Sequence, residues 1–241
     1  MSKIFHDIPV EKQILKHMHH WEMVRTEWAQ QAKSSLQRPP QTFGPYLTIS
    51  REQGSGGNEI SQRLAERLGW HLYDREIIEA IASRTHVREE LVARFDEHHQ
   101  SAMDTYLRNL FTGQRFDNTQ YIRHLSQVVL GVAKFGRVII LGRGANFILP
   151  PEAGLRVRIV APPEARCRRL MAELNCEEKK AWQIISEADK KRREFLQHHF
   201  HAHANDALAY DVTINTAHFE VETATEFLIT LAGSRLKPLA A

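Results

Sequence analysis

An α/β architecture built on a mostly parallel, five-stranded sheet is predicted by three features of the sequence. Five short apolar or β-prone runs, at residues 46–50, 70–73, 138–141, 155–160 and 211–215, alternate with stretches of helical periodicity. The run Val138-Ile139-Ile140-Leu141 is apolar throughout, as expected of a strand buried on both faces of a parallel sheet. Loops follow the first, third and fourth runs directly, at residues 51–59, 142–146 and 161–166, where the carboxyl ends of such strands bind ligands.

The elements follow in order. Ile14, Met18, Trp21, Trp28 and Leu36 recur at roughly helical spacing on a polar background over residues 8–36. That pattern predicts an amphipathic helix that docks on its own domain or on a second copy, with His17, His19 and His20 on its polar face. Pro39-Pro40 and Gly44-Pro45 end it, because consecutive prolines cannot continue a helix. The chain therefore reads as an N-terminal helical extension, 1–40, and a domain, 41–241. After the first strand, Gly54-Ser55-Gly56-Gly57 breaks the pattern, and Ile60, Leu64, Ala65 and Leu68 then give a helix up to Gly69. Residues 75–84 form a helix with Ile77, Ile78 and Ile81 inward. Residues 87–135 are mostly helical, with a strong apolar face at Leu125, Val128, Val129 and Val132. Further helices are expected at 164–174, from 177 to about 200, and at 221–231.

Composition excludes several classes. The 241 residues are 42% hydrophobic and 25% charged, which rules out a disordered, collagenous or disulfide-scaffold chain. Thirty-two Lys and Arg against 29 Asp and Glu leave a charge of +3, too little for a non-specific binder of nucleic-acid polymers. Cys167 and Cys176 suit free thiols in a reducing compartment. With no run of about 18 apolar residues and no signal-peptide pattern, the expected location is cytoplasmic, with no membrane partner.

The first loop, Arg51-Glu52-Gln53-Gly54-Ser55-Gly56-Gly57-Asn58-Glu59, has what a phosphate needs: residues without side chains, backbone N–H groups free to point inward, and a helix N-terminus behind them. A tight strand-to-helix turn is the alternative. Asp74 follows the second strand as an acid able to orient an acceptor or to cap the next helix. His199 and His203 would share a helix face, but no third ligand stands at suitable spacing, and no metal site is assigned.

The order of these segments resembles the cytidylate kinase-like family of P-loop proteins. The segments are Ser50-Arg51-Glu52-Gln53-Gly54-Ser55-Gly56-Gly57, Leu64-Ala65-Glu66-Arg67-Leu68-Gly69, Tyr73-Asp74-Arg75-Glu76, Gly142-Arg143-Gly144-Ala145-Asn146, Ala161-Pro162-Pro163-Glu164-Ala165-Arg166, Asp189-Lys190-Lys191-Arg192 and Tyr210-Asp211-Val212-Thr213-Ile214-Asn215-Thr216. The resemblance runs from about Tyr46 to Leu231. It implies a three-layer P-loop nucleotide-kinase fold with a helical acceptor region (85–135) and a lid (175–205), and it implies ATP and Mg2+ as cofactors. Arg51, Gly54, Ser55, Gly56, Gly57, Asn58 and Glu59 would then hold the donor phosphates. Asp74, Arg75 and Arg143 would bind the acceptor, and Arg143, Asp189 and Arg192 would serve the transfer, the lid arginine neutralising phosphoryl charge.

The departures are equally specific. In a Walker loop the lysine contacts the terminal phosphates; here that place is Gly57, the first-glycine place is Arg51, and no lysine occurs between Lys33 and Lys134. The acid expected after Arg143 is Gly144, and the first lid arginine falls on Ile185. Arg51 or Arg75 could reach in from the flank. Two readings follow: a phosphotransferase moving the ATP γ-phosphoryl to a nucleoside monophosphate or similar small phosphate acceptor, and a nucleotide-binding regulatory protein that kept the fold and lost transfer. A third makes the Trp21 and Trp28 helix a homo-oligomer contact.

Overall fold

The computed structural model describes residues 9–34, 43–95, 97–112, 116–117 and 119–236. Five strands, β1 (Tyr46–Arg51), β2 (His71–Tyr73), β3 (Val138–Leu141), β4 (Gly154–Val160) and β5 (Val212–Asn215), form one parallel sheet in the order β2-β3-β1-β4-β5. The central strand β1 pairs Tyr46 with both Val138 and Gly154. Each predicted strand is present, with its ends shifted by a residue or so.

Side-chain alternation divides the core between the faces. Leu47, Ile49, Ile139, Leu141, Leu155, Val157 and Ile159 pack with α2 (Gly57–Leu68) and α10 (Val221–Arg235). Tyr46, Val138 and Ile140 face the helical layer on the other side. That layer contains α3 (Arg75–Ser83), α4 (Thr85–Ala93), α5 (Glu97–Thr112) and α6 (Gln120–Phe135). The one-turn helix α7 (Ala145–Ile148) follows β3. The result is the three-layer α/β sandwich expected of the sequence.

Helix α8 (Pro163–Leu174) and the long helix α9 (Glu178–Phe200) pack on each other through Cys167, Leu170, Ala181 and Ile185. Ile185 is buried against α8, which explains why no arginine stands there. At the end of α9, His201 takes a left-handed conformation (φ 48°) and closes the helix. His203 is therefore off the helix, and the shared face expected of His199 and His203 does not form.

Helix α1 (Val10–Ser34) docks on its own domain. Trp21 is fully buried, its Nε1 donates to the Tyr73 hydroxyl at 2.8 Å, and Ile14 and Val24 join the same core. The polar-face expectation fails for two of the three histidines. His17 stacks on Tyr73 (4.0 Å between centroids) and His20 on His71 (3.7 Å), and both are buried, while His19 stays exposed. Their rings serve as flat packing surface. Among the described residues no helix is long and apolar enough to cross a membrane.

Candidate functional site

The three loops converge at the carboxyl ends of β1, β3 and β4. The first makes a tight turn in which Ser55 Oγ and the Ser55 N–H donate to the Glu52 carbonyl (2.8 and 3.2 Å). Gly54 and Gly56 adopt φ values of 78° and 80°, a left-handed conformation that glycine adopts without steric cost. Gly56 caps α2, whose N-terminus points back at the loop.

The departure from the Walker pattern has a geometric explanation. A Cβ on Gly57 would lie 2.5 Å from Arg51 Cβ and 2.9 Å from its Cγ. Any side chain at 57 is excluded because Arg51 already fills that space. The Arg51 side chain crosses from the end of β1 toward β3: Nε donates to Asn58 Oδ1 at 2.9 Å, and Nη1 comes within 3.1 Å of the position a Cβ on Gly142 would take. The cation and the glycine have exchanged ends of the loop.

Gly142, Arg143 and Gly144 all have left-handed backbones (φ 84°, 54° and 65°), which turns the chain sharply after β3. Arg143 Nη2 pairs with Glu79 at 2.9 Å, and the guanidinium lies 4.6 Å from the Phe195 ring centroid on α9. Gly144 stands against the Phe200 ring, where a Cβ would come within 2.4 Å. An acidic side chain after Arg143 therefore has no room. Asp74 caps α3, its Oδ1 accepting from the Ile77 N–H at 2.9 Å, and it also lines the cavity described below.

Asp189 of α9 is gripped by two arginines, Arg166 (2.8 Å) and Arg192 (3.0 Å). Arg166, from the start of α8, is buried, and its Nη1 also donates to the Gln53 carbonyl at 3.4 Å. Its backbone crowds Gly54, where a Cβ would come within 2.6 Å of the Arg166 carbonyl oxygen. Glu52 faces Arg158 (3.5 Å) and Arg166 (3.6 Å).

Two cavities flank α9 and share Ser50, Arg51 and Arg192. One, of about 1030 Å³, reaches Arg158, Arg166, Asp189 and Asn205. The other, of about 960 Å³, reaches Gln53, Asn58, Asp74, Arg75, Arg143 and Lys191, and is also walled by Lys12 and Lys16 of α1. Arg51, Asn58, Asp74, Arg75, Arg143 and Arg192 thus meet around the second cavity, while Asp189 lines the first and reaches the shared wall through its pair with Arg192. Gly54, Ser55, Gly56 and Gly57 line neither cavity, and Ser55 is fully buried, its carbonyl accepting from the Thr216 hydroxyl. Glu59 turns away, pairing with Arg63 at 2.8 Å on the exposed side of α2. Sequence reasoning missed Glu52, Glu79, Arg158 and Arg166. Their partners lie far along the chain, so no local spacing signals them.

The electrostatics carry one sign. Burial, and after it the charges of Arg192, Arg143 and Arg75, push Arg51 down to about 10, against the opposing pull of Asp74. Burial likewise lowers Arg192, with Asp189 opposing, and lowers Arg143, with Glu79 among the groups opposing. Partly desolvated cations gathered this closely favour an anion among them.

Residues 46–218 match the model of the cytidylate kinase-like family. The chain belongs to this family. A cytidylate kinase from Thermococcus kodakarensis is 24% identical over 174 residues, covering 72% of this chain and 80% of that protein. Among solved structures, an uncharacterised protein from Eubacterium ventriosum superposes with a TM-score of 0.55 at 22% identity, over 79% of this chain and 99% of that one. A shikimate kinase from Bacteroides thetaiotaomicron gives a TM-score of 0.40 at 17% identity, over 77% and 96%. The family and the fold are those of nucleotide-binding, kinase-like transferases. The family match begins at the first strand and leaves α1 outside it.

Proposed function

We propose that this protein is an ATP-dependent phosphotransferase whose acceptor is a nucleoside monophosphate or a similar small phosphorylated molecule. The observation that carries the reading is the convergence of Arg51, Arg75, Arg143 and Arg192 on one cavity beneath the lid helix, each able to meet phosphate oxygens. In phosphoryl transfer the protein supplies positioning and charge neutralisation rather than covalent chemistry, and clustered guanidinium groups supply both.

Donor phosphates would enter the cavity beside Arg51 and Asn58, at the N-terminus of α2. Arg51 takes the part of the Walker lysine from the opposite end of the loop. Arg143 and Arg75 hold the acceptor phosphate, and Arg192, oriented by Asp189, covers the transferring group. For Mg2+, the oxygen donors that line this cavity include Asn58, at the place of the Walker hydroxyl, and Asp74; Asn58 Oδ1 accepts from Arg51 Nε and would have to release it to hold the ion. Bound there, Mg2+ would neutralise phosphate charge.

A second reading, nucleotide binding without transfer, is favoured by one contact: Glu79 occupies the Arg143 guanidinium at 2.9 Å and must be displaced before an acceptor phosphate can take its place. A coupled assay with ATP, Mg2+ and a panel of nucleoside monophosphates separates the two. Turnover is expected with at least one acceptor. Calorimetric nucleotide binding without turnover, under conditions where a control kinase works, would establish the second reading, and absence of binding would remove both.

A further inference from the structure

The C-terminal end of α9 meets the segment that leads into α6, and three ligating atoms converge there outside the kinase-like site. Asp117 Oδ2 lies 3.6 Å from His198 Nε2 and 3.5 Å from His199 Nδ1, and all three atoms fall within 4.8 Å of one another. Both separations are longer than a normal N–H···O hydrogen bond. They are close to the roughly 3.4 Å that separates two ligands held about 2.0–2.1 Å from one tetrahedral ion. Asp117 Oδ2 and His199 Nδ1 are buried and have no hydrogen-bond partner among the described residues.

The trio is held in place by its surroundings. The Asp117 N–H donates to the His199 carbonyl at 3.0 Å, tying the two segments together through the backbone. The His199 ring packs against Phe195 (5.0 Å) and Tyr121 (5.7 Å). Burial, and after it the neighbouring His198, lower the His199 imidazole from its ordinary value, with Asp117 opposing.

We propose that Asp117, His198 and His199 form a divalent-metal site of the Zn2+ class that clasps the lid helix to the acceptor region. Two imidazoles and a carboxylate suit a borderline ion such as Zn2+, whereas Mg2+ and Ca2+ prefer all-oxygen sets. The fourth position is open to water because His198 is largely exposed. The clasp joins residues 81 or more positions apart, so an ion held there would tie the C-terminal end of α9 to the segment that leads into α6.

The test uses the full chain, stripped with chelator and titrated with Zn2+ by calorimetry, with Co2+ as a spectroscopic probe of tetrahedral coordination. One equivalent is expected to bind, and Asp117→Asn and His198→Ala should each weaken it at least tenfold. His198 is exposed enough for its replacement to leave the fold intact. His201→Ala/His203→Ala should bind as the wild type does, which separates this site from general affinity of the histidine-rich segment. Failure of the wild type to take up stoichiometric Zn2+ overturns the proposal and leaves an Asp117–histidine ion pair, and binding undiminished in Asp117→Asn overturns it as well.

Discussion

Arg51 and Gly57 are best understood as one unit. A buried guanidinium brought in from the first position of the loop requires a glycine at the seventh, since any Cβ there would overlap the Arg51 stem. Restoring the Walker lysine alone, Gly57→Lys, should therefore push Arg51 aside and lower transfer. Arg51→Gly should lower it by about 10- to 100-fold, the worth of one charge-assisted hydrogen bond in the transition state. The double variant should recover most of what either single variant loses, because it rebuilds the Walker arrangement. Single-turnover rates for the four proteins measure this coupling, and a double variant no faster than the slower single would disprove the exchange. Gly144 makes a parallel case. Its φ of 65° and the Phe200 ring against it predict that Gly144→Ala destabilises the fold by about 1–3 kcal/mol and disturbs lid closure, readable in denaturant midpoints and acceptor KM.

At the scale of elements, α1 shows where sequence patterning succeeds and where it stops. Periodicity located the helix and its Trp21 seam, because apolar burial leaves a local trace. His17 and His20 left none, since a buried imidazole has the same spelling as an exposed one; only the packing of Tyr73 and His71 against them makes them core. The same limit hid Arg166. Asp189 is legible from the lid spacing, but its partner lies 23 residues away on another helix, and the burial of Ile185 against α8 leaves no local trace in the sequence. The five strands were legible because each is a short run with a distinctive period or none.

The buried histidines of this helix also have a thermodynamic consequence. Burial, then neighbouring charge, holds His17 down at about 3 and His20 at about 4, and His71 beneath them at about 4. Unfolded, each would protonate near 6.5. The unfolded chain therefore binds more protons than the folded one below that value. The stabilisation from α1 docking is present in full above about pH 6.5 and declines as pH falls toward 4, by roughly 1 kcal/mol per unit for a fully buried group such as His17. His17→Phe keeps the stack on Tyr73 and removes the titration. Urea melts from pH 7.5 to 4.5 should show a shallower pH slope for this variant than for the wild type, and equal slopes would show that His17 does not set it.

The whole molecule joins an element outside the family match to the cavity that the family match defines. Helix α1 buries Ile14, Trp21 and Val24 in the core shared by α3 to α6 and, four residues apart on its outer side, presents Lys12 and Lys16 to the space that holds Arg51, Asp74 and Arg143. The formal charge of +3 gives little guide to this arrangement, because it averages a cationic centre with a balanced surface of pairs such as Arg63–Glu222 and Arg67–Glu226. Two roles for α1 then come apart experimentally. Removing residues 1–40 uncovers Tyr73 and Phe135 and deletes a buried tryptophan, a change worth at least the 3–5 kcal/mol of a core Trp→Ala, so the truncated protein should melt well below the full chain. Lys12→Ala/Lys16→Ala leaves that seam untouched and should keep the melting temperature. If α1 helps hold the acceptor, the lysine pair should raise acceptor KM several-fold with kcat little changed, the pattern of lost ground-state binding. An unchanged KM would confine α1 to a structural part, and an unchanged melting temperature on truncation would show that its burial adds nothing to the fold.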